Sequence, residues 1–441
     1  MILLASYVFY GWWDWRFLSL IAFSTVVDYF LGWRIHESQN PKQRKWFLSL
    51  SLIANLSLLG FFKYYNFFID SLQLGIQALG VEMNIWTLNI ILPVGISFYT
   101  FQTLSYSIDI YYKKFSPTQD FIAYSAFVSF FPQLVAGPIE RASHLIPQFI
   151  SRRTFDLNEA IRGISLITYG FFRKVVIADR LAIYVDAVFN QVDAQNSVSL
   201  FLGLVFFSLQ IYCDFSGYSL IARGVAKLFG FDIMINFNKP YIANSITDFW
   251  RRWHISLSTW FRDYVYIPLG GNRVSLGKHY QNIMIVFLVS GLWHGANWTF
   301  IVWGALHGLY QLIYLLYVKF KPFSLPQNRF RNIANILIVY FFVCIAWVFF
   351  RAESVEVAIH YLQKLSELSL PQNLMQLTAE KGPFNLLLSF FGIGLLAGSY
   401  LFPDQLQFKK RSYHLAFTSF TICLIILLGI NGKPSFIYFQ F

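Results

Sequence analysis

The stretch Ser290-Gly-Leu-Trp-His-Gly-Ala-Asn-Trp298 lies in the middle of an apolar run that extends from about residue 282 to 318. An ionisable side chain inside such a run is costly to place in a membrane and therefore marks a functional site. Thirty-seven residues of helix would measure ~55 Å at 1.5 Å per residue, too long for one tilted crossing. The run must fold back on itself, and its natural break is Gly291 to Asn297. That reading puts His294 at a bend inside the membrane.

The rest of the chain supports a membrane setting. Of 441 residues, 56% are hydrophobic, 20% aromatic and only 13% charged, against about a quarter charged in an ordinary globular protein. An all-α, polytopic membrane protein follows, read as a single membrane domain over 1–441 with about ten or eleven segments, re-entrant ones included. Candidate spans fall near 17 to 33, 46 to 68, 86 to 112, 121 to 139, 163 to 189, 200 to 222, 282 to 318, 333 to 350, 384 to 402 and 414 to 430. Ile2 to Trp13 is about half a crossing, and no cleavable signal peptide is evident.

The formal charge of +12 sits in short loops, where Lys and Arg mark the cytoplasmic side, so it reports topology and excludes nucleic acid as the partner. Arg34, Lys42, Arg44 and Lys45 place the first loop inside; the stretch 69 to 85 carries no Lys or Arg and falls outside. Basic residues flank 121 to 139 on both sides, and Pro132, Gly137 and Pro138 suit a re-entrant segment there. The loop 223 to 280 carries eight Lys and Arg residues, and 319 to 331 carries Lys319, Lys321, Arg329 and Arg331, so both ends of the His294 run are cytoplasmic. The stretch 352 to 383 reads as external, and Asn431 to Phe441 as an extracytoplasmic tail.

Chemistry concentrates on few residues. A histidine titrates near neutral pH and can take a proton from a hydroxyl and return it to a leaving group. Around His294, Gly291, Gly295 and Asn297 open the backbone to a substrate. His254 stands in Phe249-Trp-Arg-Arg-Trp-His-Ile-Ser-Leu-Ser-Thr-Trp260, where two readings stay open: an interfacial amphipathic helix with Arg251 and Arg252 on lipid headgroups, or a second functional Trp-His. Asp28, Asp109 and Asp214 are intramembrane carboxylates, and for Asp214 a structural and a catalytic role both stand. His254, His294 and His307 lack metal-ligand spacing and acidic or thiol companions, so no metal is expected. Cys213, Cys344 and Cys423 lie singly in apolar segments and make neither a Cys-x-x-Cys pair nor an even disulfide set. Gly271-Asn-Arg-Val-Ser-Leu-Gly-Lys278 has one residue too many for a phosphate loop, with His279 where Ser or Thr is needed. No Gly-x-Ser-x-Gly elbow is present, so a serine nucleophile of the protein's own is not expected.

Taken together, Leu92-Pro-Val-Gly-Ile-Ser-Phe-Tyr-Thr-Phe-Gln-Thr-Leu-Ser-Tyr106, Val135-Ala-Gly-Pro-Ile-Glu-Arg141, Tyr212 to Tyr218, Trp250 to Arg273 and Ser290 to Trp298 resemble the membrane-bound O-acyltransferases, in particular the bacterial alginate O-acetyltransferase branch, with similarity to the membrane subunits of peptidoglycan O-acetylation and teichoic-acid D-alanylation. The resemblance implies a fold enclosing a central tunnel, with His294 at the family's catalytic histidine, His254 at its second polar position, and Trp293, Asn297, Asp214, Arg251 and Arg252 as supporting residues. It implies no bound cofactor. The donor would be acetyl-CoA or an acyl-carrier thioester entering from the cytoplasm, and the acceptor a cell-surface polysaccharide. A periplasmic SGNH-hydrolase-like transferase would be the partner, in the bacterial inner membrane. The tail Phe436-Ile-Tyr-Phe-Gln-Phe441 resembles one proposed to carry the acyl group in the D-alanylation systems, which makes Tyr438 a candidate carrier; packing of the tail in the tunnel mouth or docking of a partner is the other reading. Two departures stand out. The family usually has a further apolar span before Ala5-Ser-Tyr-Val-Phe-Tyr-Gly-Trp-Trp13, and Leu220 followed by Arg223 stands where the branch often has an acidic residue. The competing class is a transporter or flippase of donor or glycan that makes no bonds.

Overall fold

In hydrocarbon no water can satisfy a backbone amide, so a spanning chain must satisfy its own, and here it does so with helices. The computed structural model describes residues 1–81, 87–135, 137–320, 328–379, 381–401, 406–408, 410–430 and 436; it is helical, with no β-strand among the described residues. Among the described residues, six helices are long and apolar enough to cross a membrane. The chain divides into two compact units, Met1–Phe155 with Gly230–Met234, and Asp156–Phe229 with Ile235–Phe441.

The first unit contains α1 (Ile2–Asp14), α2 (Leu18–Glu37), α3 (Pro41–Leu59), α4 (Ile96–Tyr111) and α5 (Phe121–Ser129). The half-crossing expected at Ile2 to Trp13 joins α2 through a single tight turn, Trp15–Phe17, capped by Asp14, whose carboxylate accepts from the Arg16 amide at 3.0 Å. Together they form one apolar run, Ile2–Glu37. Asp28 of α2 accepts hydrogen bonds from Ser51 Oγ (2.5 Å), Asn55 Nδ2 (2.7 Å) and Ser107 Oγ (3.1 Å). This intramembrane carboxylate is thus a buried knot joining α2, α3 and α4. The expected break in 121 to 139 is present: α5 ends at Ser129, and only a four-residue helix, Phe131–Leu134, follows. Buried Glu140 of the Val135 to Arg141 motif then accepts from the Met234 amide at 2.5 Å and pairs with His144 Nδ1 at 2.8 Å.

The second unit begins with α6 (Leu157–Phe171), a π-helical turn Phe172–Ala178, and α7 (Asp179–Asn190), which run antiparallel to α8 (Ser197–Leu228). Glycines set the distance between them. A Cβ on Gly224 would lie 2.4 Å from the Gly163 carbonyl oxygen, and one on Gly170 would lie 2.6 Å from that of Gly217. Small residues facing one another let helix backbones approach closely in lipid. After α8, the short helices α9 (Ile246–Arg252) and α10 (Ile255–Phe261) precede α11 (Leu276–His294), α12 (Trp298–Phe320), α13 (Arg329–Arg351), α14 (Val355–Ser366), α15 (Pro383–Ser399) and α16 (Arg411–Leu428).

The run 282 to 318 folds back where its glycines indicate. Helix α11 stops at His294, and α12 starts at Trp298, capped by Asn297, whose Oδ1 accepts from the Thr299 amide at 3.0 Å. Gly291 and Gly304 clamp the two arms, since a Cβ on either would lie 2.3 Å from a carbonyl oxygen of the other helix, Phe300 or Phe287. Nineteen residues of α11 make ~28 Å, close to the ~30 Å of a hydrocarbon core. Of the two arms, α12 is long and apolar enough to cross a membrane, and Asn297 Nδ2 donates to the Glu353 carbonyl at 2.9 Å, just beyond the end of α13.

Candidate active site

The two histidines come together in the second unit. His254 and His294 have ring centroids 6.5 Å apart and are 0% and 4% exposed. His294, the last residue of α11, is held edge-on by Trp303 at 4.9 Å and Phe350 at 5.4 Å, with Trp293 at 5.0 Å. These rings come from α11, α12 and α13, so the imidazole is oriented by three helices at once.

His254 is placed by its backbone. It precedes α10 in the left-handed region, at φ 42° and ψ 56°, where histidine is several-fold enriched among the few non-glycine residues found there. The residues that follow it are pinned to an extended stretch: the Ile255 amide donates to the Asn236 carbonyl at 2.9 Å, Ser256 Oγ donates to Asn236 Oδ1 at 2.6 Å, and Asn236 Nδ2 donates to Ser219 Oγ on α8 at 2.9 Å. The ring meets Phe215 at 4.7 Å, Trp293 at 6.0 Å and Phe237 at 6.4 Å. Neither ring nitrogen has a hydrogen-bond partner among the described residues. Burial pushes the imidazole down from its ordinary 6.5 to about 3, so it is neutral at cellular pH and free to accept or donate one hydrogen bond.

The other sequence-derived candidates are not at this pair. Asp214 lies next to Phe215 in the chain but points at Lys174, whose Nζ is 2.9 Å from it and 2.8 Å from Asp179. Arg251 is exposed, and Arg252 is bound to Asp248 at 2.9 Å. Asn297 caps α12 as described. Trp293 touches both histidines. Tyr438 lies outside the described residues. The tail's Phe436, however, is buried, 4.1 Å from Tyr218 and 6.1 Å from Phe215, whose ring packs on His254. Of the residues that could ligate a metal, no cluster of three or more forms among the described residues.

Two further buried groups stand out, one weighed in the sequence only as a metal ligand and one not read there at all. His307, 0% exposed, has no partner for either nitrogen among the described residues and sits within 4.8 Å of Trp303 and 4.9 Å of Trp250. Arg173, inside the expected span 163 to 189, is also buried. A cation in the middle of an apolar run was the available signal for Arg173; for His307 only its distance of thirteen residues from His294 was visible.

Residues 17–356 match the model of the membrane-bound O-acyltransferase family. The chain is 44% identical over 361 residues to a probable alginate O-acetylase AlgI of Azotobacter vinelandii, an alignment covering 81% of this chain and 70% of that one. It is 40% identical over 397 residues to a peptidoglycan O-acetyltransferase of Helicobacter pylori (82% and 72% covered). It is 30% identical over 283 residues to a teichoic acid D-alanyltransferase of Bacillus subtilis (60% and 70% covered). The chain belongs to the membrane-bound O-acyltransferase family. It is a multi-pass membrane O-acyltransferase.

Proposed function

We propose that this enzyme moves acetyl groups from a thioester donor onto hydroxyls destined for a cell-surface polysaccharide, with His294 as the general base. The observation that carries this reading is the buried pair of imidazoles, 6.5 Å apart at the end of α11. Two rings in an aromatic, water-poor enclosure, that of His254 neutral, suit proton transfer to and from a bound hydroxyl. His294 takes the proton of the acceptor hydroxyl as its oxygen attacks the acetyl carbonyl carbon; the C–S bond then breaks, and the proton passes from His294 to the departing thiolate. His254, one ring away, donates to the carbonyl oxygen as charge develops on it.

The relatives named for alginate and peptidoglycan acetylation favour a polysaccharide acceptor of that kind, and the setting that goes with this reading is the bacterial inner membrane. The donor is acetyl-CoA or an acyl carrier reaching the histidines from the cytoplasm through a tunnel, and a periplasmic SGNH-hydrolase-like transferase completes delivery. His294→Ala is expected to abolish acetyl transfer by the purified protein, a loss of roughly 10²-fold or more for a positioned base, while donor binding persists. Transfer at the wild-type rate would leave the transporter reading.

One observation favours a covalent relay through the tail: Phe436, two positions before Tyr438, packs on Phe215 and so lies one ring from His254. In that relay Tyr438 is the first acceptor and surrenders the acetyl group to the external transferase. Tyr438→Phe should then stop polysaccharide acetylation while leaving hydrolysis of the donor measurable; unchanged acetylation sinks the relay and leaves the general-base reading intact.

A further inference from the structure

Charges inside a membrane span are expensive and mark function by default, and the proton-transfer chemistry above uses neither Lys174 nor its two carboxylates. Lys174 lies in the π-helical turn Phe172–Ala178, and its Nζ is 2.8 Å from Asp179 Oδ1 at the start of α7 and 2.9 Å from Asp214 Oδ1 on α8. All three residues are buried. Replacing such a cluster by apolar side chains of similar size is often neutral or stabilising. Stability is therefore a poor reason to keep it, and the ring beside it supplies another. The same ammonium stands 5.8 Å from the ring centroid of Tyr218, within cation–π range. Asp214 and Tyr218 are one turn apart on α8, so Lys174 grips that helix at two successive positions.

Tyr218 also carries the end of the chain. Phe436 is 1% exposed and packs 4.1 Å from Tyr218 and 6.1 Å from Phe215, three residues earlier on α8. Phe215 in turn meets His254 at 4.7 Å. The chain approaches this place along the π-helical turn. At the end of α16 the Leu428 carbonyl accepts from Arg180 Nη2 at 2.7 Å, and two residues on, the Ile430 amide donates to the carbonyl of Val175 at 3.1 Å, next in sequence to Lys174. The attachments at Leu428, Ile430 and Phe436 thus fall on the very elements that carry the charged cluster.

We propose that Lys174, Asp179 and Asp214 are positioning residues that form the seat of the C-terminal tail. By fixing Tyr218 they keep Phe436 one ring from His254, and without them the tail leaves α8. A lysine without these partners would carry its ammonium toward water on its flexible stem; carboxylates from two helices hold it under the Tyr218 ring instead. The seat stands whether or not Tyr438 carries an acetyl group, because it is made of packing and charge alone.

The test is the rate at which carboxypeptidase trims the purified full chain past Ser435 in detergent, read by mass spectrometry. Tyr218→Leu and Phe436→Ala should each speed trimming about tenfold, the order of one desolvated ring or cation–π contact. Lys174→Met alone strands two buried carboxylates and is strongly destabilising, so it is combined with Asp179→Asn and Asp214→Asn. This triple variant, its fold checked by thermal midpoint, should be trimmed as fast as Tyr218→Leu, and adding Tyr218→Leu to it should change little. If the triple variant does not fold, Asp179→Asn, which leaves the Asp214 pair in place, takes over with an intermediate rate expected. Lys174→Arg keeps the charge and should stay slow. Wild-type trimming rates in Tyr218→Leu or in the charge-deleted variant overturn the role of the cluster, and a wild type trimmed as fast as Phe436→Ala overturns the seat itself. Slow trimming in a protein that transfers no acetyl group leaves the seat standing and overturns the functional reading instead.

Discussion

The backbone at His254 is the least relaxed part of the candidate site. A side chain at φ 42° costs of order 1–3 kcal/mol unless its surroundings impose it, and the imposing residue is Asn236, which binds both Ser219 and Ser256 with its one amide group. Asn236→Ala leaves both hydroxyls buried without that partner and should cost about 1–3 kcal/mol, seen as a lower unfolding midpoint in detergent. Because it also releases Ser256, two residues beyond His254, from its side-chain anchor, the rate constant for transfer should fall more than the donor KM rises. An Asn236→Asp variant, which still accepts from Ser256, should recover part of the rate. Both histidines were legible in the sequence as ionisable groups in aromatic surroundings. Their meeting was not, since forty residues separate them, and nothing in Trp250 to Trp260 reports that Asn236 will hold that segment. The same limit applies to Phe215 and Phe350, apolar residues among many that acquire a role only through the rings they face.

At the scale of helices, glycine pairs do the positioning. Gly163 with Gly224 and Gly170 with Gly217 hold α6 and its π-helical continuation against α8, which carries Phe215. Gly224→Ala forces a methyl group to within 2.4 Å of a carbonyl oxygen, so the helices must part, at a cost of typically 1–3 kcal/mol for overpacking. Gly75, in the helix Tyr65–Ala78, meets nothing within 4 Å; Gly75→Ala should be neutral or stabilise by up to about 1 kcal/mol through helix propensity. Thermal midpoints of the two variants in one detergent check the contrast, and equal midpoints would show that the α6–α8 contact carries no strain. The spacing of seven between Gly163 and Gly170, and between Gly217 and Gly224, is plain in the sequence, yet a single strand of text does not say which helix they face. The fold-back at Gly295 to Asn297 was readable for a different reason. Length alone forbids 37 apolar residues from forming one crossing, and the break falls where the glycines and the capping asparagine stand.

For the whole molecule, the apolar segments were legible because hydrocarbon tolerates little else. The stretch 223 to 280 was hidden for the converse reason: Arg251, Arg252, Asp248 and Asp263 give it the composition of a wet loop, although it carries fully buried Trp253 and His254. Charge counting reads surfaces well and cannot see an imidazole taken inside from such a segment. That burial has a consequence for stability. In the unfolded chain His254 takes a proton near its ordinary 6.5, whereas in the folded protein burial delays protonation to about 3. The folded-state value is depressed, so the contribution is complete above pH 6.5 and is lost progressively as pH falls toward 3, because only the unfolded state gains the proton. The steepest slope from one such group is about 1.4 kcal/mol per pH unit. His254→Asn keeps a side chain that tolerates the left-handed conformation and removes the titration. Between pH 7.5 and 5, in a detergent that preserves the wild-type fold, the wild type should therefore lose midpoint temperature faster than His254→Asn, with the two curves parallel above pH 6.5 and diverging below it. Curves that stay parallel to pH 5 would mean that His254 is reached by solvent in the folded state, and the enclosure on which the proton-transfer chemistry depends would not exist.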